Sequence, residues 1–198
     1  METEYRTSSN CYRTKILIPL LSKPFEFYAV IDTGASSTTM ALETLINDKP
    51  SEGLIKNLDE YAQRLRIKSC PLHGGTVKRN KEDAYTYATC FKNVIIGGHF
   101  MEKFYVNIMI NGADDIFVIG NDFLNACSYQ HRAGENKLVI ENPNAQKYNE
   151  NLERRHLSSE YLSMLLFNLA SEEEVAVSDG DLIAEELMRK GDEIMKGL

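Results

Sequence analysis

The order of apolar and polar positions divides the chain into short strand-like runs, one helical insertion and a helical end. Lys15-Ile-Leu-Ile-Pro-Leu20 is a short apolar run. Lys23-Pro24 breaks it, and the β-branched and aromatic Phe25-Glu-Phe-Tyr-Ala-Val-Ile31 resumes it, which predicts two strands and a turn over 14–31. The period then changes. Met40, Leu42, Leu45 and Ile46, followed by Leu54, Leu58, Tyr61 and Leu65, fall at helical spacing, so 40–65 reads as helix in two pieces around Pro50-Ser-Glu-Gly53. Strand character returns over 66–110. Ala84 to Phe91 alternates, Asn93-Val-Ile-Ile96 and Phe104 to Ile110 flank Gly97-Gly98, and Ile116 to Ile119 runs into Gly120. Ala126 to His131 and Lys137 to Glu141 enclose the polar turn Ala133-Gly-Glu-Asn136, a further hairpin. Beyond Asn142-Pro143, two amphipathic helices are expected, over about 158–170 and 181–196.

Charge separates the two parts of the chain. Residues 1–149 hold 17 Lys+Arg and 17 Asp+Glu, whereas 150–198 hold 5 and 12, so the end carries the whole net charge of −7. We therefore expect a domain over 1–148 and an acidic helical extension over 149–198. No basic face is implied, and nucleic acid, which is held largely by phosphate neutralisation, is not an expected partner. The acidic start Met1-Glu-Thr-Glu4 lacks the pattern of a secretory leader, and no apolar run approaches the ~20 residues that span a bilayer. A soluble cytoplasmic protein without membrane contact is the expectation. The four cysteines lie far apart, as free thiols in a reducing compartment would. Cys70-Pro-Leu-His73 offers two metal-ligand types, but no second close pair completes a set, so neither metal nor cofactor is expected.

The segment with chemical content is Ala29-Val-Ile-Asp32-Thr-Gly-Ala-Ser36: an apolar run that delivers a carboxylate at its end, beside a hydroxyl and a flexible residue. Alone, Asp-Thr-Gly is also what an ordinary strand-ending turn contains. A second piece, Ile116-Phe-Val-Ile-Gly120-Asn-Asp-Phe-Leu124, changes the balance. Together these segments resemble the active-site signature and the late apolar-apolar-Gly motif of retropepsin-like aspartic proteases. The intervening hairpin at 93–110 and the closing hairpin at 126–141 suit the same family, so the resemblance spans about residues 14–141.

That resemblance implies a mainly β fold, a closed acid-protease barrel, here with an inserted helical segment and a C-terminal helical extension that the minimal family domain lacks. It implies that the strand ending at Ile119 crosses behind the Asp32 loop, with Gly120 giving clearance. It makes Asp32, Thr33 and Gly34 the catalytic triplet, and places Ala35, Ile119 and a flap tip at His73, Gly74 and Gly75 against substrate. Ala35 follows the glycine as in viral members; pepsin-type enzymes carry a serine there, and Ser36 comes one position later.

Peptide hydrolysis of this kind needs two carboxylates sharing a proton around one water, one as base and the other as donor to the carbonyl. The chain has one Asp-Thr-Gly; Ser178-Asp-Gly180 has the wrong order and no strand leading into it. The expectation is a homodimer, with Asp32 from each chain and an extended peptide or protein substrate. The alternative is a catalytically silent retropepsin-like module that binds peptides or dimerises.

Overall fold

The computed structural model describes residues 1, 3–6, 11–20, 23–72, 84–112, 116–141, 148 and 155–172. The expected flap residues His73, Gly74 and Gly75, and the expected helix at 181–196, lie outside them.

The first apolar runs form β2 (Cys11–Leu20) and β3 (Lys23–Ile31), antiparallel from Tyr12↔Ile31 to Leu20↔Lys23. β1 (Glu4–Arg6) extends the sheet beside β2. β6 (Tyr85–Ile96) and β7 (His99–Ile110) form one long hairpin, closed by Gly97 and Gly98 at φ 52° and 83°. Two successive left-handed residues are what a two-residue hairpin loop of this hand requires. The alternation expected over 84–91 thus belongs to a strand that continues through Asn93, whose φ of 57° lets the buried side pass from Phe91 to Val94.

β8 (Phe117–Ile119) inserts between β3 and β4 (Thr39–Ala41). It runs parallel to β3, with Val30↔Val118 and Ile31↔Ile119, and antiparallel to β4. β4 continues to β7, and β2 returns to β6 through Ile16↔Ile96 and Leu17↔Ile95. The ring β2-β3-β8-β4-β7-β6 is therefore a closed six-stranded barrel, and the protein is mainly β, as expected. Each of these six strands thus has a paired neighbour on both sides. Ile16, Ile18, Phe91, Phe104, Ile108 and Ile119, each at most 1% exposed, fill its interior.

The expected helix over 40–65 needs one correction. Met40 lies in β4, paired with Ile108 and Phe117, and only from Leu42 does the chain turn helical, as α1 (Leu42–Ile46). The spacing of Met40, Leu42 and Leu45 fits a helix, but the open sheet position between β7 and β8 overrides it. α2 (Glu52–Arg64) starts where Ser51 Oγ accepts the Leu54 N–H at 3.2 Å, and buries Leu54, Leu58 and Ala62. Its Asp59 accepts hydrogen bonds from the Tyr85 and Tyr87 hydroxyls, each at 2.9 Å, which ties the insertion to the start of β6. Burial, together with the Asp59 carboxylate, holds the Tyr87 phenol far above its ordinary range.

β5 (Cys70–Pro71) pairs with β6 at Tyr85–Thr86. After β8 come a single helical turn, α3 (Asn121–Leu124), and the expected hairpin, β9 (Tyr129–Arg132) and β10 (Lys137–Ile140). Then β11 (Leu157–Ser158) lies parallel to Thr89–Cys90, and α4 (Ser159–Glu172) follows. The chain forms two compact units, Met1–Met164 and Leu165–Leu198. The first thus includes β11, beyond the composition shift at residue 149. No described helix is long and apolar enough to cross a membrane.

Candidate active site

β3 carries the chain through the barrel to Ile31, and Asp32 is the first residue past its end. The Asp32 N–H donates to the Ile119 carbonyl at 3.1 Å, so β8 fixes the point at which the carboxylate leaves the sheet. The Ala35 N–H donates back to the Asp32 carbonyl at 3.2 Å, closing the turn. Asp32 Oδ1 accepts the Gly34 N–H at 2.8 Å. A Cβ on Gly34 would lie 3.1 Å from that same oxygen, so a side chain there would crowd the carboxylate it helps to orient. Asp32, Thr33 and Gly34 are exposed on the single chain, and Ala35 is half-buried. Ile119 is fully buried. It supports Asp32 from behind, through its carbonyl, instead of lining an open surface. The structure thus places Asp32, Thr33, Gly34 and Ala35 in one turn, with Ile119 of β8 behind it.

The loop is held from a second side by residues that sequence reading did not single out. Asn121 Nδ2 donates to the Thr33 carbonyl at 2.7 Å, and the Asn121 N–H donates to the Ala35 carbonyl at 2.9 Å. The Asp122 N–H reaches Ser36 O at 3.2 Å. Asp122 Oδ1 accepts three donors: Thr38 N–H and Thr38 Oγ1, both at 2.7 Å, and Phe123 N–H at 2.8 Å. Thr38 is fully buried, and its Oγ1 in turn accepts the Gly120 N–H at 3.2 Å. Asp122 occupies the first turn of α3, where an acid suits the free N–H groups, and that position was its only local signal. Gly120 is the tight point of this crossing. A Cβ on it would meet the Ser37 backbone, with C and O both at 2.5 Å.

The result is a braced pedestal: β8 lies between β3 and β4 beneath one exposed carboxylate, and a charge-assisted network holds its loop. Rigid support of this kind is what a reacting group needs to keep its orientation during a reaction.

No family model matches this chain. No curated protein matches it either. Among solved structures, the chain is similar to a retropepsin-like aspartic protease from Rickettsia conorii, at 15% identity and a TM-score of 0.38, over 71% of this chain and 93% of that one. What Asp32 can do is therefore read from its own surroundings.

Next to the Asp32 loop opens a cleft of about 430 Å³. Ser36 and Ser37 form one side of it, and Cys70, Pro71 and Leu72, on and after β5, form another. Asp32 does not line it. Cys70, the first half of the conceivable metal pair with His73, is exposed here.

Proposed function

We propose that this protein is an aspartic endopeptidase of the retropepsin-like kind, active as a homodimer. In this reading Asp32 of each chain supplies one carboxylate. Two carboxylates brought that close cannot both ionise readily, so the couple holds one proton. The ionised member takes a proton from a water as that water attacks the peptide carbonyl carbon, and the protonated member donates to the carbonyl oxygen. Collapse of the tetrahedral intermediate breaks the C–N bond, with a proton passing to the leaving amine. Thr33 of each chain would hydrogen-bond across the two-fold axis, and the segment around His73, Gly74 and Gly75 would close over an extended peptide.

The single observation that supports this most strongly is the exposed Asp32 carboxylate, standing at the end of two paired parallel strands and oriented by the Gly34 N–H at 2.8 Å. An acid so firmly braced yet facing outward suits a partner carboxylate from a second copy better than it suits a role in the fold of one chain. A silent binding module would have no physical use for a costly pair of like charges.

The direct test is incubation of the purified protein with an unstructured polypeptide over a range of pH, with and without a hydroxyl-bearing transition-state mimic of peptide hydrolysis. New peptide termini that appear only without the inhibitor are the expected result. An intact polypeptide at every pH and protein concentration contradicts the reading.

A further inference from the structure

The segment 155–164 is docked on β6 and α2. Arg155 Nη1 donates to the Leu65 carbonyl at 3.1 Å, just past the end of α2. Leu157, fully buried, pairs in parallel with Thr89. Glu160 meets Lys92 at 3.3 Å. The Tyr161 ring stacks on Tyr61, with centroids 3.6 Å apart and planes 10° from parallel, and its hydroxyl reaches the Asn57 carbonyl at 3.4 Å. Between Arg155 and Leu157 stands His156, whose ring lies 5.0 Å from that of Tyr105. His156 lines the cleft beside the Asp32 loop, facing a space that also touches Ser36 and Ser37.

We infer that His156 is a specificity-determining residue, and that its cleft receives an uncharged hydrogen-bonding side chain of the substrate, glutamine or asparagine. The inference rests on the endopeptidase reading for the identity of the ligand as an extended peptide. The selectivity follows from the lining. Ser36, Ser37, Asn107 and His156 carry groups that match a side-chain amide, while Pro71, Leu72, Ala88 and Val106 suit its methylene stem. The Thr89 hydroxyl, also in the lining, is 1% exposed and has no hydrogen-bond partner among the described residues. A buried hydroxyl in that state favours a ligand that can bond to it. Among the described residues no Lys or Arg lines the cleft, while the Asp122 carboxylate does, so an acidic side chain would meet repulsion without compensation. Asp122 Oδ1 already accepts three donors and no other carboxylate lines the cleft among the described residues, so a basic side chain finds only Asp122 Oδ2. An apolar side chain would pack on Pro71, Leu72 and Val106 but would give the Thr89 hydroxyl no partner.

The test separates binding from cleavage. Fluorescent peptides that differ only by Gln, Glu or Leu, scanned through each position of one extended sequence, are titrated by polarisation against the full-length Asp32→Asn protein. At one position Gln should bind at least about tenfold more tightly than Glu or Leu, a difference typical of sites that hydrogen-bond their ligand. Adding His156→Leu should reduce that preference to less than about threefold, and His156→Gln, which keeps donor and acceptor, should retain most of it. Equal binding of the three peptides at all positions overturns the inference. So does an undiminished preference in His156→Leu protein that melts at the parental temperature. If His156→Leu fails to fold, the contrast between His156→Gln and His156→Glu decides instead, with loss of Gln preference only in the latter expected. A His156-dependent preference in a protein whose wild type cleaves nothing would sink the enzyme reading and leave the cleft assignment standing. Cleavage by the wild type with no amide preference would do the reverse.

Discussion

Asp32→Asn is expected to lower cleavage of an unstructured polypeptide by about a thousandfold or more, while leaving the fold in place. The size follows from removing both members of an acid–base couple at once, since each subunit carries the change and proton transfer alone contributes roughly 100- to 10,000-fold. The intact fold follows from geometry. Asp32 is exposed, and Oδ1 accepts the Gly34 N–H at 2.8 Å, a bond that an asparagine amide oxygen accepts equally well. The melting temperature should therefore stay within about 2 °C of the wild type, as for most surface substitutions. Undiminished cleavage by the pure variant would show that the carboxylate is not used. A collapse in melting temperature would show that Asp32 serves the fold.

Gly120→Ala should have the largest effect on stability. The added methyl group would lie 2.5 Å from the carbonyl carbon and oxygen of Ser37 and 2.9 Å from its nitrogen. These are backbone atoms, so no side-chain rotation relieves the clash. Relief requires Ser37 and β8 to separate, which strains the Thr38 hydroxyl bond to the Gly120 N–H and the two Thr38 bonds to Asp122. Overpacking in a well-packed interior costs about 1–3 kcal/mol, and loosening a bond to a charged acceptor adds on the order of 1 kcal/mol. We expect a loss of about 3 kcal/mol, or roughly 6–12 °C in melting temperature for a chain of this size. A thermal or urea melt of the full-length variant checks it, and an unchanged midpoint would mean that the crossing under Asp32 is looser than its contacts imply.

The parts of this fold that were legible in the sequence are those where one face of a strand is buried and the local chemistry is distinctive. The apolar run ending at Asp32 and the run ending at Gly120 are both read correctly as strands, and their parallel pairing, Val30↔Val118 and Ile31↔Ile119, sets β8 beside β3 beneath the Asp32 loop. The hairpins at 85–110 and 129–140 announce themselves through Gly97-Gly98 and the polar turn at 133–136. Gly120 was expected to give clearance, and the Ser37 backbone is what it clears.

What stayed hidden depends on distance along the chain or on shortness. Thr38 and Asp122 are 84 residues apart and meet only once the barrel is closed, so nothing local marks either as a brace. β4 is three residues long, too short to display alternation, and the leucines after it gave the segment a helical period. β11 has two residues, paired through backbone groups that carry no sequence signal, and that pairing helps to set His156 at its cleft. The expected flap at His73, Gly74 and Gly75 rests on the resemblance alone.

A mixing experiment bears most directly on whether each catalytic centre draws one Asp32 from each of two chains. Wild-type and Asp32→Asn proteins are combined in equal amounts at constant total concentration, allowed to exchange subunits, and assayed for polypeptide cleavage. If only pairs with two intact acids work, random pairing leaves about one quarter of the wild-type rate. A value near one half, with exchange verified by tagged subunits, would mean that a single chain cleaves alone and would contradict the shared centre.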